Sequence, residues 1–189
     1  MGPREVSIVL GGSRKIDRLP SEILDLLRNK MNDLEEFIVG DAIGSDLAFQ
    51  KFFLHSKYKA VTVYSSAGYV RNNVGQWPDQ LIDSGLKSKS NATHAIKDRK
   101  MVERASSGIM IWDTESAGTL SNVIDLVEQE KECSLWLASE SELCRFDNLK
   151  SLDKFLLNYP DQTEEAKKRL NRFRKREMKS AQSEEQTLF

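Results

Sequence analysis

Short apolar segments alternate along this chain with stretches whose apolar residues recur every three or four positions, and that alternation constrains the fold more than any other feature. "VSIVL" (Val6 to Leu10) runs into the glycine turn "GGSR", after which "PSEILDLLRNKM" sets Ile23, Leu24, Leu27 and Met31 on one helical face behind a Pro20-Ser21 start. "EFIVG" (Glu36 to Gly40) precedes "DAIGSDLAFQKFFLH", in which Leu47, Phe49, Phe52, Phe53 and Leu54 supply a broad apolar face, and "AVTVY" (Ala60 to Tyr64) follows. Further on, "HAIKDRKMVERAS" reads as a helix with Ile96, Met101, Val102 and Ala105 inward, followed by strand "GIMIW", helix "GTLSNVIDLVEQE" and strand "CSLWL" (Cys133 to Leu137). Parallel neighbours need a long connection, normally a right-handed helix, so five strands with four crossovers predict an α/β, three-layer Rossmann-like fold. Its sheet is expected to be mainly parallel, with five strands or slightly more.

Two stretches depart from this rhythm. Ser65 to Thr93 is rich in Gly, Ser and Asn and lacks periodicity, which is the pattern of a functional loop; Tyr69, Arg71, Asn72, Asn73 and Trp77 lie within it, and an aromatic there is expected to stack a base on closing. Beyond Leu137 the pattern weakens, and "EEAKKRLNRFRKREMK" carries Ala166, Leu170 and Phe173 at helical spacing among many Lys and Arg. The expected organisation is an α/β domain over 1–140, with a long loop at 65–93, and a helical, charged C-terminal extension over 141–189.

With 39% apolar and 30% charged residues, the 189-residue chain has the composition of a soluble globular protein. A net charge of −1 gives no global attraction to nucleic acid or an anionic membrane. No apolar run reaches the roughly 18 to 20 residues of a bilayer span, and "MGPREVSIVLGGSR" reads directly into a strand without the form of a signal peptide, so a cytoplasmic location is expected. Cys133 and Cys144 read as structural thiols, and His55 and His94 lack ligand-spaced partners, so neither a metal nor a cofactor is expected.

In open parallel sheets ligands collect beyond the carboxyl ends of the strands, and the chemistry-bearing residues of this chain follow its strands. Gly11 and Gly12 allow close backbone approach, Ser13 can donate to a phosphate, and Arg14 can fork onto one. After the second strand, Asp41 and Asp46 flank Gly44 and can accept from ribose hydroxyls or base amines, although Ser45 or Asp46 could equally cap the helix. "DTESAGT" then offers Asp113 and Glu115, followed by Ser116, Gly118 and Thr119 at a helix N-terminus, where unpaired amides and the dipole favour an anion. Lys97, Arg99 and Lys100 on the preceding helix can add neutralising charge.

Together, "GGSR", "GDAIGSDLAFQ" and the run from "IKDRKM" to "IMIWDTESAGTLSN" resemble the SLOG superfamily of Rossmann-like nucleotide-binding proteins. That superfamily takes in the Lonely Guy phosphoribohydrolases, the DNA-processing protein A family and YpsA/YspA-type proteins. The resemblance covers Val6 to Leu137 and implies that Asp41, Gly44 and Asp46 lie at the ligand edge. It also implies that Arg99 stands at the essential arginine of the Lonely Guy enzymes, with Gly118 and Thr119 at their phosphate cradle. Two departures bear on chemistry: the diglycine is replaced by Ser116-Ala117, and the essential glutamate falls on Asn122. A carboxylate can stabilise an oxocarbenium-like state and orient water, whereas a neutral amide does neither as well.

The function expected is therefore binding of a nucleotide or nucleotide-derived small molecule, for sensing or sequestration, at the C-terminal edge of the parallel sheet, in a site built from Gly11 to Arg14, Asp41, Gly44, Asp46, Arg99 and Ser116 to Asn122. The alternative is a nucleotide N-glycosidase or deoxyribosyltransferase-like enzyme whose carboxylate is relocated to Asp41, Asp46, Asp113 or Glu115, with Arg99 assisting. A further alternative is single-stranded nucleic-acid binding, suggested by the basic segment Lys167 to Lys179. A homo-oligomer, with that helix either packing in the oligomer or solvated, and no membrane partner complete the expectations.

Overall fold

A computed structural model describes the backbone of residues 6–66, 68–83 and 91–187, and the side chains over the same ranges except 91–93 and 176–187. The elements run β1 (Ser7–Gly12), α1 (Ser21–Asn32), β2 (Glu36–Gly40), α2 (Ser45–His55), β3 (Val61–Ser65) and β4 (Asp79–Leu81). They continue with α3 (Asn91–Arg104), β5 (Ser107–Trp112), α4 (Ala117–Glu128), β6 (Glu132–Leu137), β7 (Glu142–Phe146), α5 (Leu149–Leu156) and α6 (Pro160–Thr187).

The seven strands form one sheet ordered β4-β3-β2-β1-β5-β6-β7. All neighbours are parallel except β6 and β7, which pair antiparallel from Cys133 opposite Phe146 to Leu137 opposite Glu142. The central strands are continuously apolar because both faces of the sheet are covered. Ile8, Leu10, Phe37, Val39, Ile109 and Ile111 meet Ile23 and Leu27 of α1 and Phe49 and Phe53 of α2 on one face. Val9, Ile38, Met110, Trp112, Leu135 and Leu137 meet α3 and α4 on the other, through Met101, Val102, Leu120, Val123 and Ile124. This is the expected three-layer Rossmann-like architecture, extended at each edge of the sheet by a strand that periodicity did not reveal.

The 65–93 stretch is more structured than its composition suggests. It contributes β4, which pairs with β3 from Val63 opposite Asp79 to Ser65 opposite Leu81; residues 67 and 84–90 lie outside the described ones. Trp77 is buried at 6% exposure, packs in the α1 and α2 layer, and donates from Nε1 to the Tyr58 carbonyl at 2.9 Å. Trp77 therefore packs locally and is not the aromatic of this stretch on which a base could stack. A large indole gains more from joining an apolar cluster with its N–H satisfied than from facing water.

After β7, α5 and α6 return to the α3 and α4 face, where Leu152, Leu156, Ala166 and Leu170 join the same apolar cluster as Leu120 and Val123. Ion pairs reinforce the seat. Asp125 of α4, 2% exposed, receives Arg99 of α3 at 2.9 Å and Arg174 of α6 at 3.3 Å.

Candidate functional site

From β1 the chain builds outward through β2, β3 and β4, then crosses back to place β5 on the other side of β1. The connections leaving β1 and β5 therefore diverge, and the crevice between them is where an open α/β sheet receives ligands. A cavity of about 370 Å³ lies there, within the range of small-molecule sites.

Its floor is the turn from Gly11 to Lys15. A side chain at Gly12 would meet the Ile111 carbonyl at 2.6 Å and Ser45 Oγ at 2.7 Å, so glycine lets β1 pass beneath α2. Ser13 is 2% exposed and stitches three elements together. Its amide donates to Ile111 O at 3.0 Å, its carbonyl accepts from the Ser45 amide at 3.1 Å and from Ser45 Oγ at 2.9 Å, and its hydroxyl donates to Asp113. Lys15 forms an exposed ion pair with Glu115. Arg14 lines the cavity, exposed and without an ion pair among the described residues.

The wall on the β5 side is the first turn of α4. Asp113 accepts the amides of Glu115 at 3.1 Å and Ser116 at 2.8 Å. Burial alone would raise the Asp113 carboxyl, but the Ser13 hydroxyl and these amides outweigh it and hold the group below the usual carboxylate range. Ser116 is the N-cap and accepts from the Thr119 amide at 3.3 Å, while Thr119 Oγ1 donates to Ser116 Oγ at 3.0 Å. The amides of Ala117 and Gly118, like those opening any helix, have no intrahelical carbonyl to bind. Gly118 and Asn122 face the cavity from this helix.

The opposite wall comes from α2 and α3. Asp46 Oδ2 accepts the Ala42 amide at 3.2 Å. Burial raises its pKa to about 6, with Asp98 adding to the rise and Lys97 opposing it. Lys97, 3% exposed, bonds Asp98 at 3.1 Å. Burial works to lower Lys97, and the nearby Asp98 and Asp46 carboxylates more than restore it, so it stays charged. A side chain at Gly40 would strike both the Asp46 carboxylate and Lys97 Nζ, which places the two groups together over one backbone position. His94 adjoins them with its Nδ1 3.2 Å from Ser66 Oγ; burial lowers its pKa, and the positive Arg71 and Arg14 lower it further.

Of the residues singled out in the sequence, Gly11, Gly12, Ser13, Arg14, Asp46, Lys97, Asp113, Glu115, Ser116, Gly118, Thr119 and Asn122 converge on this cavity. Asp41, Gly44, Arg99 and Lys100 do not, Lys100 being an exposed partner of Glu103. Asp41 is 0% exposed and held by Arg71. Gly44 is the N-cap of α2 at φ +78, lies against the Arg14 backbone and shapes the floor from beneath; neither Ser45 nor Asp46 caps the helix. Arg99 turns away to Asp125 and Glu103. Arg71, His94, Asp98 and Arg169 also line the cavity, although no sequence motif marks them as ligands. Among the described residues no group of three or more His, Cys, Asp or Glu side chains could hold a metal ion, and no helix is long and apolar enough to cross a membrane.

No model of a known protein family matches the chain, and no curated protein does. Among solved structures the chain is similar to DNA processing protein A from Helicobacter pylori, whose structure was described for its single-stranded DNA binding mode. The TM-score is 0.52 at 12% sequence identity, and the match covers 70% of this chain and 65% of that one. At this identity the likeness establishes a shared Rossmann-like fold.

Proposed function

We propose that this chain is a SLOG-type domain that binds a phosphate-bearing nucleoside in the crevice between β1 and β5, to sense or sequester it. One observation carries the reading: a single cavity gathers the glycine turn, Arg14, the buried Lys97, Arg169 and the opening turn of α4. Cations and free helix amides favour phosphate, while Asn122 and Asp46 offer hydrogen bonds to sugar or base.

Two other readings have specific support. The fold likeness to DNA processing protein A favours a single strand as the phosphate-bearing ligand. Hydrolysis or transfer at an N-glycosidic bond is favoured by Asp46, whose pKa of about 6 suits a general acid or base. The other candidate carboxylates are less suited. Asp41 is sealed off, Asp113 is held ionised by its donors, and Glu115 sits in an exposed ion pair.

Titrating the protein with nucleoside 5′-monophosphates and with short single strands, while assaying for free base, separates the three. Saturable monophosphate binding without base release supports the binding domain. Base release that disappears in Asp46→Asn replaces it with the enzyme, and strong salt-dependent binding of strands alone replaces it with nucleic-acid binding.

A further inference from the structure

Most basic residues in the described part of the C-terminal helix are exposed, and two, Arg169 and Arg174, are partly buried. Arg174 pairs with Asp125 at 3.3 Å and with Glu128 of α4, whereas Lys168 pairs with Glu164 on the exposed side of α6 itself. Arg169 goes elsewhere: it lines the cavity between β1 and β5, more than 150 positions along the sequence from the turn that forms the floor. Its guanidinium lies 3.6 Å from where a side chain at Gly118 would begin, directly against the first turn of α4.

The Arg169 charge is poorly answered by the protein. Its carboxylate neighbour Asp98 is 4.0 Å away, at the outer limit of an ion pair, and Asp98 is engaged more closely by Lys97 at 3.1 Å. Burial lowers the pKa of Arg169, and the positive Arg14 and Arg172 lower it further against the opposing Asp98 and Glu165 carboxylates; Arg14 and Arg169 both line the cavity. The guanidinium also lies over the Phe173 ring, 5.8 Å from its centroid. Carboxylates line the same cavity, but Asp113 is engaged by Ser13 and two backbone amides, Glu115 by Lys15 and Asp98 by Lys97, so a phosphate can complete the space between Arg14, Arg169 and the helix N-terminus.

Resting on the nucleotide-binding reading, we propose that Arg169 is a phosphate ligand supplied by α6. It joins Arg14 and the Ala117 and Gly118 amides in one subsite for the 5′-phosphate, while Asp46 and Asn122 meet the nucleoside. The C-terminal helix is then a wall of the ligand site.

Calorimetric titration of the full chain with nucleoside 5′-monophosphates and with the matching phosphate-free nucleosides tests this, using Arg169→Gln, Arg169→Lys and, as a control on the exposed side of the same helix, Arg172→Gln. The expected result is a loss of about tenfold or more in monophosphate affinity for Arg169→Gln, a smaller loss for Arg169→Lys, and none for Arg172→Gln. Nucleoside affinity stays unchanged in all three, which a purely structural role for Arg169 would not produce. Undiminished monophosphate binding by both Arg169 variants overturns the inference and leaves the nucleotide site standing. No monophosphate binding by the unaltered protein removes both. Should Arg169→Gln fail to fold, Arg169→Lys carries the test, because it keeps the charge and loses the fork.

Discussion

Arg71 forks onto Asp41, with Nη2 2.5 Å from Oδ1 and Nε 3.0 Å from Oδ2, and its backbone amide adds a third bond to Oδ2 at 3.1 Å. The acid that follows β2 thus anchors the segment after β3. Asn72 donates to the Asp41 carbonyl at 2.8 Å, and Gln50 bonds both Gly40 O and Asn72 O, so the loop is fastened to the sheet edge beside the cavity.

Burial works to raise the Asp41 pKa, and the Arg71 bonds outweigh it, lowering the group from 3.8 to about 2. The folded protein therefore holds fewer protons here than the unfolded chain. The resulting stability is complete above about pH 4 and is lost as pH falls toward about 2. Arg71→Ala leaves a buried carboxylate unpaired and is expected to cost about 3 kcal/mol in urea unfolding at pH 7. A cost under about 0.5 kcal/mol, the scale of an exposed pair, contradicts this.

Asp46 has the opposite sign. Its pKa rises on folding from 3.8 to about 6, so ionising it costs stability at neutral pH, and the cost disappears below about pH 4. Asp46→Asn is expected to stabilise the protein at pH 7.5 by on the order of 1 kcal/mol, seen as a higher Tm, with little change at pH 4. It should weaken ligand binding at the same time, the exchange expected of a group kept for function. Identical melting of the two proteins at both pH values contradicts the assignment.

Gly44 and Gly68 both adopt positive φ, at +78 and +76, in different surroundings. A side chain at Gly44 would strike the Arg14 backbone, whereas nothing lies within 4 Å of one at Gly68. Gly44→Ala is expected to cost about 3 kcal/mol and to disturb the floor of the cavity, against about 1 kcal/mol for Gly68→Ala. Thermal melts that rank the two equally, or in reverse, contradict this geometry.

Trp77→Ala empties a buried indole site and is expected to cost about 3 kcal/mol or more, while Trp77→Phe keeps nucleotide affinity unchanged. Weaker nucleotide binding by a fully stable Trp77→Phe protein would restore the indole to the ligand.

The sheet interior was legible because apolar runs and helical periodicity are imposed by burial on both faces. β4 was not: Asp79, Gln80 and Leu81 form a short exposed edge strand with no buried side to leave a pattern. The glycine turn and "DTESAGT" were legible because strand ends in this topology converge. Arg99 was misplaced because charge spacing on a helix does not tell which face meets the cavity. Lys97, two residues earlier and therefore on a different face, lines it, while Arg99 meets the buried Asp125. Arg169 left no local signal, since only the seating of Ala166 and Leu170 against α4 brings it to the site.

The most direct test of a nucleotide site between β1 and β5 is the amide spectrum of the isotope-labelled protein titrated with nucleoside 5′-monophosphates. Resonances of Gly11 to Lys15 and of Ala117 to Thr119 are expected to shift together and saturate, while Ser107 and Glu132, at the opposite ends of their strands, stay fixed. Saturable shifts confined to other surfaces, or none at millimolar ligand, would contradict the site.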